Sequence, residues 1–305
     1  MTRLIRTIAG RKVQIISHQW MHLDELFAMW LVKKFAKAAF LNQYAPEGKL
    51  LLGVGNGPFD EHPSGGQARK ADETCCTLVA KALGVENRPE LRQLLQYVAS
   101  RDLKAGGASD PLTFAFDFSR MIKPINRRYK QVGVLRWAFM GFEAVYVEAL
   151  RFQEALEELR QQAEVERIWV NGRSLPVVTI VSDNHQIQRA ARIPAKFGGL
   201  DAAVIVQQQT TGHVQVFTNH KYGVNLDEVV AIVRYNEQLA RGPVVTNDRR
   251  ALEEDGSVPG AEVWFYLKEG NTLLNGSETA PEVEPTKLSL EQIQEAVRDG
   301  LTFRQ

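Results

Sequence analysis

The stretch Ser17-His18-Gln19-Trp20-Met21-His22-Leu23-Asp24-Glu25 places two imidazoles and two carboxylates within eight residues, 18 to 25. Imidazole nitrogen and carboxylate oxygen together suit Mn, Fe or Zn. A second donor cluster, Asp60-Glu61-His62, follows at a Gly- and Pro-punctuated turn, so three of the six histidines stand beside acidic groups in the first 62 residues. His18 and His22 have the i,i+4 spacing of a helical zinc motif. No Glu follows His18, however, and the metalloprotease pattern fails. A purely structural role, with the histidines as caps and the carboxylates complementing a helix dipole, suffices for Glu25 alone. It leaves the second cluster unexplained.

These residues sit where strands give way to helices. Val13 to Ile16 is a β-rich run, after which Leu23, Leu26, Phe27, Trp30, Leu31 and Phe35 recur at helical spacing. A second β-like run, Lys49 to Val54, ends in Gly55-Asn56-Gly57-Pro58, and Pro63-Ser64-Gly65-Gly66 marks a further turn. Helices are expected from about Glu73 and through Leu91, Leu94, Leu95 and Val98, the latter ending just before Arg101-Asp102. Strands alternating with helices predict an α/β fold with a mostly parallel sheet flanked by helices, whose ligands gather beyond the carboxyl ends of the strands.

From Arg120 to about Arg167 the pattern is helical and rich in Glu, Arg and Gln, which reads as a solvated connector. β-rich runs at 177–181, 202–206 and 214–217 and a helix from about Asn225 predict a second, smaller α/β domain. Beyond Gly242-Pro243 come a possible strand at 263–266 and the capping-box pattern Ser289-Leu290-Glu291-Gln292, opening a helix that stops at Gly300. The expected division is 1–120, a helical connector at 121–166, a second domain at 167–242 and an extension at 243–305.

With 37 Lys and Arg against 36 Asp and Glu, the net charge of the 305-residue chain is +1. That removes the bulk electrostatic argument for a duplex-DNA or anionic-membrane binder. No apolar run reaches the roughly 18 to 20 residues a bilayer needs, and charges interrupt the opening MTRLIRTIAGRK. The expectation is a globular cytoplasmic protein. The only cysteines, Cys75 and Cys76, are adjacent, which suits neither a disulfide framework nor a zinc spacing, so packing near a helix start is expected.

The order His18-x3-His22-x-Asp24, then Asp60-Glu61-His62, then Asp102 after a helix resembles the DHH phosphoesterase superfamily. Its first motif reads His-x3-Asp-x-Asp, its third Asp-His-His, and its fourth contributes an Asp. The His-x-Asp-Glu sequence is similar to the Myg-type branch, associated with nuclease activity, which has one more residue between its first two histidines. The resemblance implies a site for divalent metal, Mn first, with two ions possible and Zn or Fe as alternatives. Activated water would then hydrolyse a phosphodiester or phosphoanhydride. By matching, His18, His22, Asp24, Asp60 and Asp102 would be metal ligands, with Glu61 and His62 in the catalytic role.

Where the family has a bridging Asp after the second strand, this chain has Gly53. Asp110, Asp117 and Asp183 are the carboxylates considered as its replacement. Residues 212–219 with 225–230 resemble the DHHA1-type substrate domain, although the Gly-Gly-Gly-His signature is absent and Arg241-Gly242-Pro243 stands near its place. Arg189, Arg192, His213 and Asn219 are the substrate-contact candidates, the arginines because they bind phosphate bidentately. The expected partner is a nucleotide or short single-stranded nucleic acid, with no membrane, and self-association stays open. The alternatives are a catalytically degenerate nucleotide or metal binder and a mononuclear metal hydrolase acting on another bond.

Overall fold

The computed structural model describes residues 1–62, 73–103, 117–277 and 279–303. Pro63 to Gly66 and Asp110, singled out above, lie outside the described residues. The chain divides into two compact units, Met1–Leu150 and Arg151–Gln305.

In the first unit, β1 (Thr2–Ile8) and β2 (Arg11–Ser17) form an antiparallel hairpin, and β3 (Lys49–Leu51) pairs parallel with β2. Ala9 and Gly10 turn the hairpin with φ of 45° and 77°, the left-handed pair that matches the twist of the flanking strands. The crossover from β2 to β3 carries α1 (Leu23–Phe35) and α2 (Ala38–Tyr44); α3 (Cys75–Leu83) and α4 (Arg92–Leu103) follow. All ten residues of α1 from Leu23 to Val32 are buried, Asp24 and Glu25 included. Over these ten residues the helix has no solvent face, and exposure begins at Lys33 and Lys34.

A long helix, α5 (Phe118–Gln162), is broken at Lys130, whose φ is 54° and ψ −174°. The solvated connector expected there is only part of the account. Val134, Leu135, Ala138, Phe142 and Tyr146 lie on one stripe in the core of the first unit, while Ala155 and Leu159 belong to a core of the second. The exposed Glu, Arg and Gln residues hid this stripe.

The second unit is built on a six-stranded sheet in the order β4-β5-β6-β7-β9-β8, formed by Glu164–Val170, Arg173–Val181, Val204–Gln208, Val214–Thr218, Trp264–Leu267 (β8) and Thr272–Asn275 (β9). Only β5 and β6 pair in parallel. Both sheets are therefore mixed, which corrects the expectation of a mostly parallel sheet. The reason is local: tight hairpins at Ala9-Gly10 and Asn171-Gly172, the latter with φ of 49° and 74°, reverse the chain directly and make β1–β2 and β4–β5 antiparallel. The α/β class holds. Residues 243–305 contribute β8 and β9 to this sheet, and β9 pairs with β7.

Helices α6 (Ile187–Arg192), α7 (Asp227–Arg241), α8 (Arg249–Leu252) and α9 (Leu290–Thr302) complete the unit. The Ser289 capping box opens α9 as the sequence indicates. Gly300 does not end it, because a Cβ there would lie 2.6 Å from Val229 Cγ2 and from the Val229 nitrogen. Glycine serves close helix approach at that point. Arg234 of α7 is fully buried and donates through Nη1 to the carbonyls of Leu252 and Glu254 at 2.7 and 2.8 Å, and through Nη2 to those of Gly256 and Trp264. It pins the chain leading to β8. Among the described residues no helix is long and apolar enough to cross a membrane.

Candidate metal centre

The residues flanking the start of α1 carry most of the candidate chemistry. His22 is its N-cap in extended backbone, and its N–H donates to Glu25 Oε2 at 2.6 Å. The other Glu25 oxygen meets His18 Nδ1 at 2.5 Å. The His18 and His22 rings stack with centroids 5.9 Å apart. Glu25 thus does more than complement a dipole, since its buried carboxylate fixes both the helix entry and the His18 ring.

Asp24 joins two helices. Its oxygens accept the backbone N–H groups of Cys75 at 2.8 Å and Cys76 at 2.9 Å, where α3 leaves its first N–H groups without intrahelical partners. Burial pushes the Asp24 carboxyl up to about 6 against these bonds, with Asp102 and Glu25 adding repulsion. Cys75 and Cys76 are buried free thiols in the first turn of α3, as their packing reading expects, and burial pushes both thiols up.

One carboxylate oxygen from each of Asp24, Glu61 and Asp102 falls within 4.8 Å of the other two. Burial pushes Glu61 up to about 7, and repulsion from Asp24 and Asp102 adds to it. Glu61 is only 5% exposed, yet its Oε2 has no hydrogen-bond partner. A buried polar atom is normally satisfied, and clustered carboxylates resist ionising together. A divalent cation would relieve both penalties. The all-oxygen trio, with imidazoles nearby in the chain, fits Mn²⁺ or Mg²⁺, and His ligation would extend the choice to Zn or Fe.

Asp60 plays a different part from its neighbour. Its Oδ2 accepts the Asn56 N–H at 2.9 Å and its Oδ1 the His62 N–H at 3.0 Å, so its carboxylate braces the 56–62 loop. The structure brings Glu61, matched above to the catalytic role, into the acidic trio with Asp24 and Asp102. His62 is mostly exposed, with Nε2 3.8 Å from Glu61 Oε1.

Gly53, where the resemblance calls for a carboxylate, has φ +65°, and a Cβ built there would lie 3.1 Å from both Cγ and Oε1 of Glu25. The Glu25 side chain occupies the space above Gly53. Of the other carboxylates considered for that place, Asp117 is tied to Arg101 Nη2 at 2.5 Å, to the Tyr97 hydroxyl and to Ser119. Asp183 accepts from the backbone and hydroxyl of Thr210.

The substrate-contact candidates of the second unit are spread over its framework. Arg189 lies over the Phe152 ring at 4.8 Å, and Arg192 Nε donates to the Thr218 carbonyl at 3.1 Å. Both His213 nitrogens are engaged, Nδ1 with Thr211 Oγ1 at 2.7 Å and Nε2 with the Val283 carbonyl at 2.8 Å. Asn219 donates to the Ala202 carbonyl and accepts from the Lys221 N–H. These contacts tie each side chain to its own unit's framework.

Within the first unit, His22, Asp24 and Asp102 line a cavity of about 430 Å³. Its remaining wall includes Trp20, Arg101, Lys123 and Asn126, none of which the motif reading selected as site residues. The only signal for the α5 contribution was helical spacing between Ser119, Lys123 and Asn126. Comparison with family models, curated proteins and solved structures finds no match to this chain.

Proposed function

We propose that the first unit is a divalent-metal-dependent phosphoesterase acting on phosphodiester bonds of short single-stranded oligonucleotides or small nucleotides. The observation that carries this reading is Glu61, whose Oε2 is buried and unpartnered and one of whose carboxylate oxygens lies in a cluster with Asp24 and Asp102. Support for the reaction class comes from the resemblance of the His18, Asp24, Asp60-Glu61-His62 and Asp102 pattern to DHH phosphoesterases. The near-zero net charge favours a small substrate over long duplex DNA.

Asp24, Glu61 and Asp102 would hold the metal. A bound divalent cation polarises a phosphoryl oxygen and lowers the pKa of an attacking water. Glu25, engaging His18 at Nδ1, leaves Nε2 as the ring nitrogen available for a ligand or a proton. His62, exposed beside Glu61, is suited to exchange protons with solvent. Asp60 holds the loop that presents both.

A second reading, a nucleotide- or metal-binding protein without turnover, is favoured by one observation: Gly53 supplies no carboxylate. A Mn²⁺ titration of product release from 5′-labelled short RNA and DNA, with Asp24→Asn in parallel, separates the two. Metal-dependent mononucleotide release that the variant loses is the expected result. No release from folded protein with Mn²⁺, Mg²⁺, Zn²⁺ or Fe²⁺ overturns the hydrolase, and saturable nucleotide binding without products would then establish the binder.

A further inference from the structure

The cavity lined by Asp24 and Asp102 of the trio has further lining residues that the metal does not need. The first turns of α5 present Ser119, Ile122, Lys123 and Asn126 to it, a spacing of three and four residues that puts all four on one face of a helix. Asn126 is the most telling. It is 93% removed from solvent, with 7% of its surface exposed, and among the described residues nothing hydrogen-bonds its side-chain amide. Its polar atoms are nonetheless not sealed off. An amide in that condition in a cavity wall is available to a ligand.

Two cations share this wall. Lys123 is exposed and makes no ion pair among the described residues. Arg101 is held by Asp117 through Nη2 and its Nε is sealed from solvent, which leaves Lys123 as the cation open to a ligand. The same cavity is lined by Trp20, 57% exposed, whose indole stacks on no other ring among the described residues. A large exposed aromatic sharing one cavity with the Lys123 ammonium, the Asn126 amide and two members of a cluster suited to metal matches a ligand with a planar apolar face and an anionic group. The volume of about 430 Å³ lies in the range of small-ligand sites.

We propose that Trp20, Lys123 and Asn126 form a nucleoside monophosphate recognition wall, with Trp20 stacking on the base, Lys123 beside the phosphate and the Asn126 amide hydrogen-bonding a polar edge of base or sugar. This rests on the phosphoesterase reading for its biological meaning, but the binding itself does not require the metal. Stacking is sequence-tolerant, because every base has a π-face. Lys123 reads charge.

Calorimetric titrations of the full chain with AMP, adenosine and ribose 5-phosphate test it, first in EDTA and then in Mn²⁺. Wild type, Trp20→Leu, Trp20→Phe and Lys123→Gln are compared; both side chains are exposed, so the core is untouched, and circular dichroism confirms folding. Trp20→Leu is expected to weaken AMP and adenosine by roughly tenfold or more, with Trp20→Phe retaining most of the affinity. Lys123→Gln should weaken AMP and ribose 5-phosphate and leave adenosine unchanged. AMP binding that survives both Trp20→Leu and Lys123→Gln, or no AMP binding by wild type in either buffer, overturns the proposal. Failure of the phosphoesterase reading is seen separately: AMP then binds with the expected variant pattern, but no oligonucleotide is cleaved.

Discussion

Replacing Glu61 by Gln is expected to stabilise the metal-free protein at alkaline pH and destabilise the metal-loaded one. The buried carboxyl titrates at about 7 in the folded chain against an ordinary 4.5. At roughly 1.4 kcal/mol per pH unit, keeping it ionised costs on the order of 2 to 3 kcal/mol above pH 8, after allowance for charge shared with Asp24 and Asp102. The sign follows from the raised folded value. The stability Glu61 contributes is fully present below about pH 4.5 and is lost as pH rises through 7, because the unfolded chain gives up the proton first. Gln has no proton to lose.

Urea unfolding followed by circular dichroism, at pH 5, 6, 7 and 8 in EDTA, reads this as a difference between wild type and variant. That difference should swing in favour of Glu61→Gln by about 1.5 to 2 kcal/mol between pH 5 and 8. Saturating Mn²⁺ should reverse the order at pH 8, since a ligand at a thousandfold its Kd adds about 4.1 kcal/mol to whichever protein binds it, more than the ionised Glu61 costs. A difference that stays constant with pH in EDTA would refute the assignment of Glu61 as a buried carboxylate strained by its acidic neighbours.

Two further outcomes follow from the packing. Gly53→Ala should lower stability by about 1 to 2 kcal/mol, from its left-handed backbone and the crowding of Glu25 at 3.1 Å. Thermal unfolding measures it, and an unchanged transition would show that Glu25 does not fill that space. Arg234→Met removes the donors to four carbonyls and should cost about 3 kcal/mol or more. Amide hydrogen exchange across residues 252–264 should accelerate, and unaltered exchange there would show that Arg234 is not the pin.

The strand, loop and helix surrounding His18 to Glu25 were legible because each depends on short-range rules. The β-run ends at Ser17, the apolar period starts at Leu23, and Glu25 sits three residues after the cap. The cysteine pair was equally plain, two small apolar residues at a helix start. The second sheet was less so. Its hairpin at Asn171-Gly172 carries a known turn signal, but alternating strands and helices suggested crossovers instead. Residues 243–305 looked like an extension because their strands are only four residues each, too short to announce a sheet that also needs β7.

What the sequence determined by itself is therefore the donor set and its local scaffold: which residues carry imidazole and carboxylate, and that they stand at strand ends. The tertiary structure decided which of them meet. Asp60 and Glu61 are neighbours in the chain, yet backbone N–H groups take up one carboxylate while the other lies buried in the trio with Asp24 and Asp102. Asp24 reaches across 51 residues to the start of α3, and Asn126 comes to the same cavity from α5. Local propensity acts over a few residues through backbone geometry and capping. Convergence over a hundred residues depends on how buried helices pack, and that carries no signature in the spacing of a single chain.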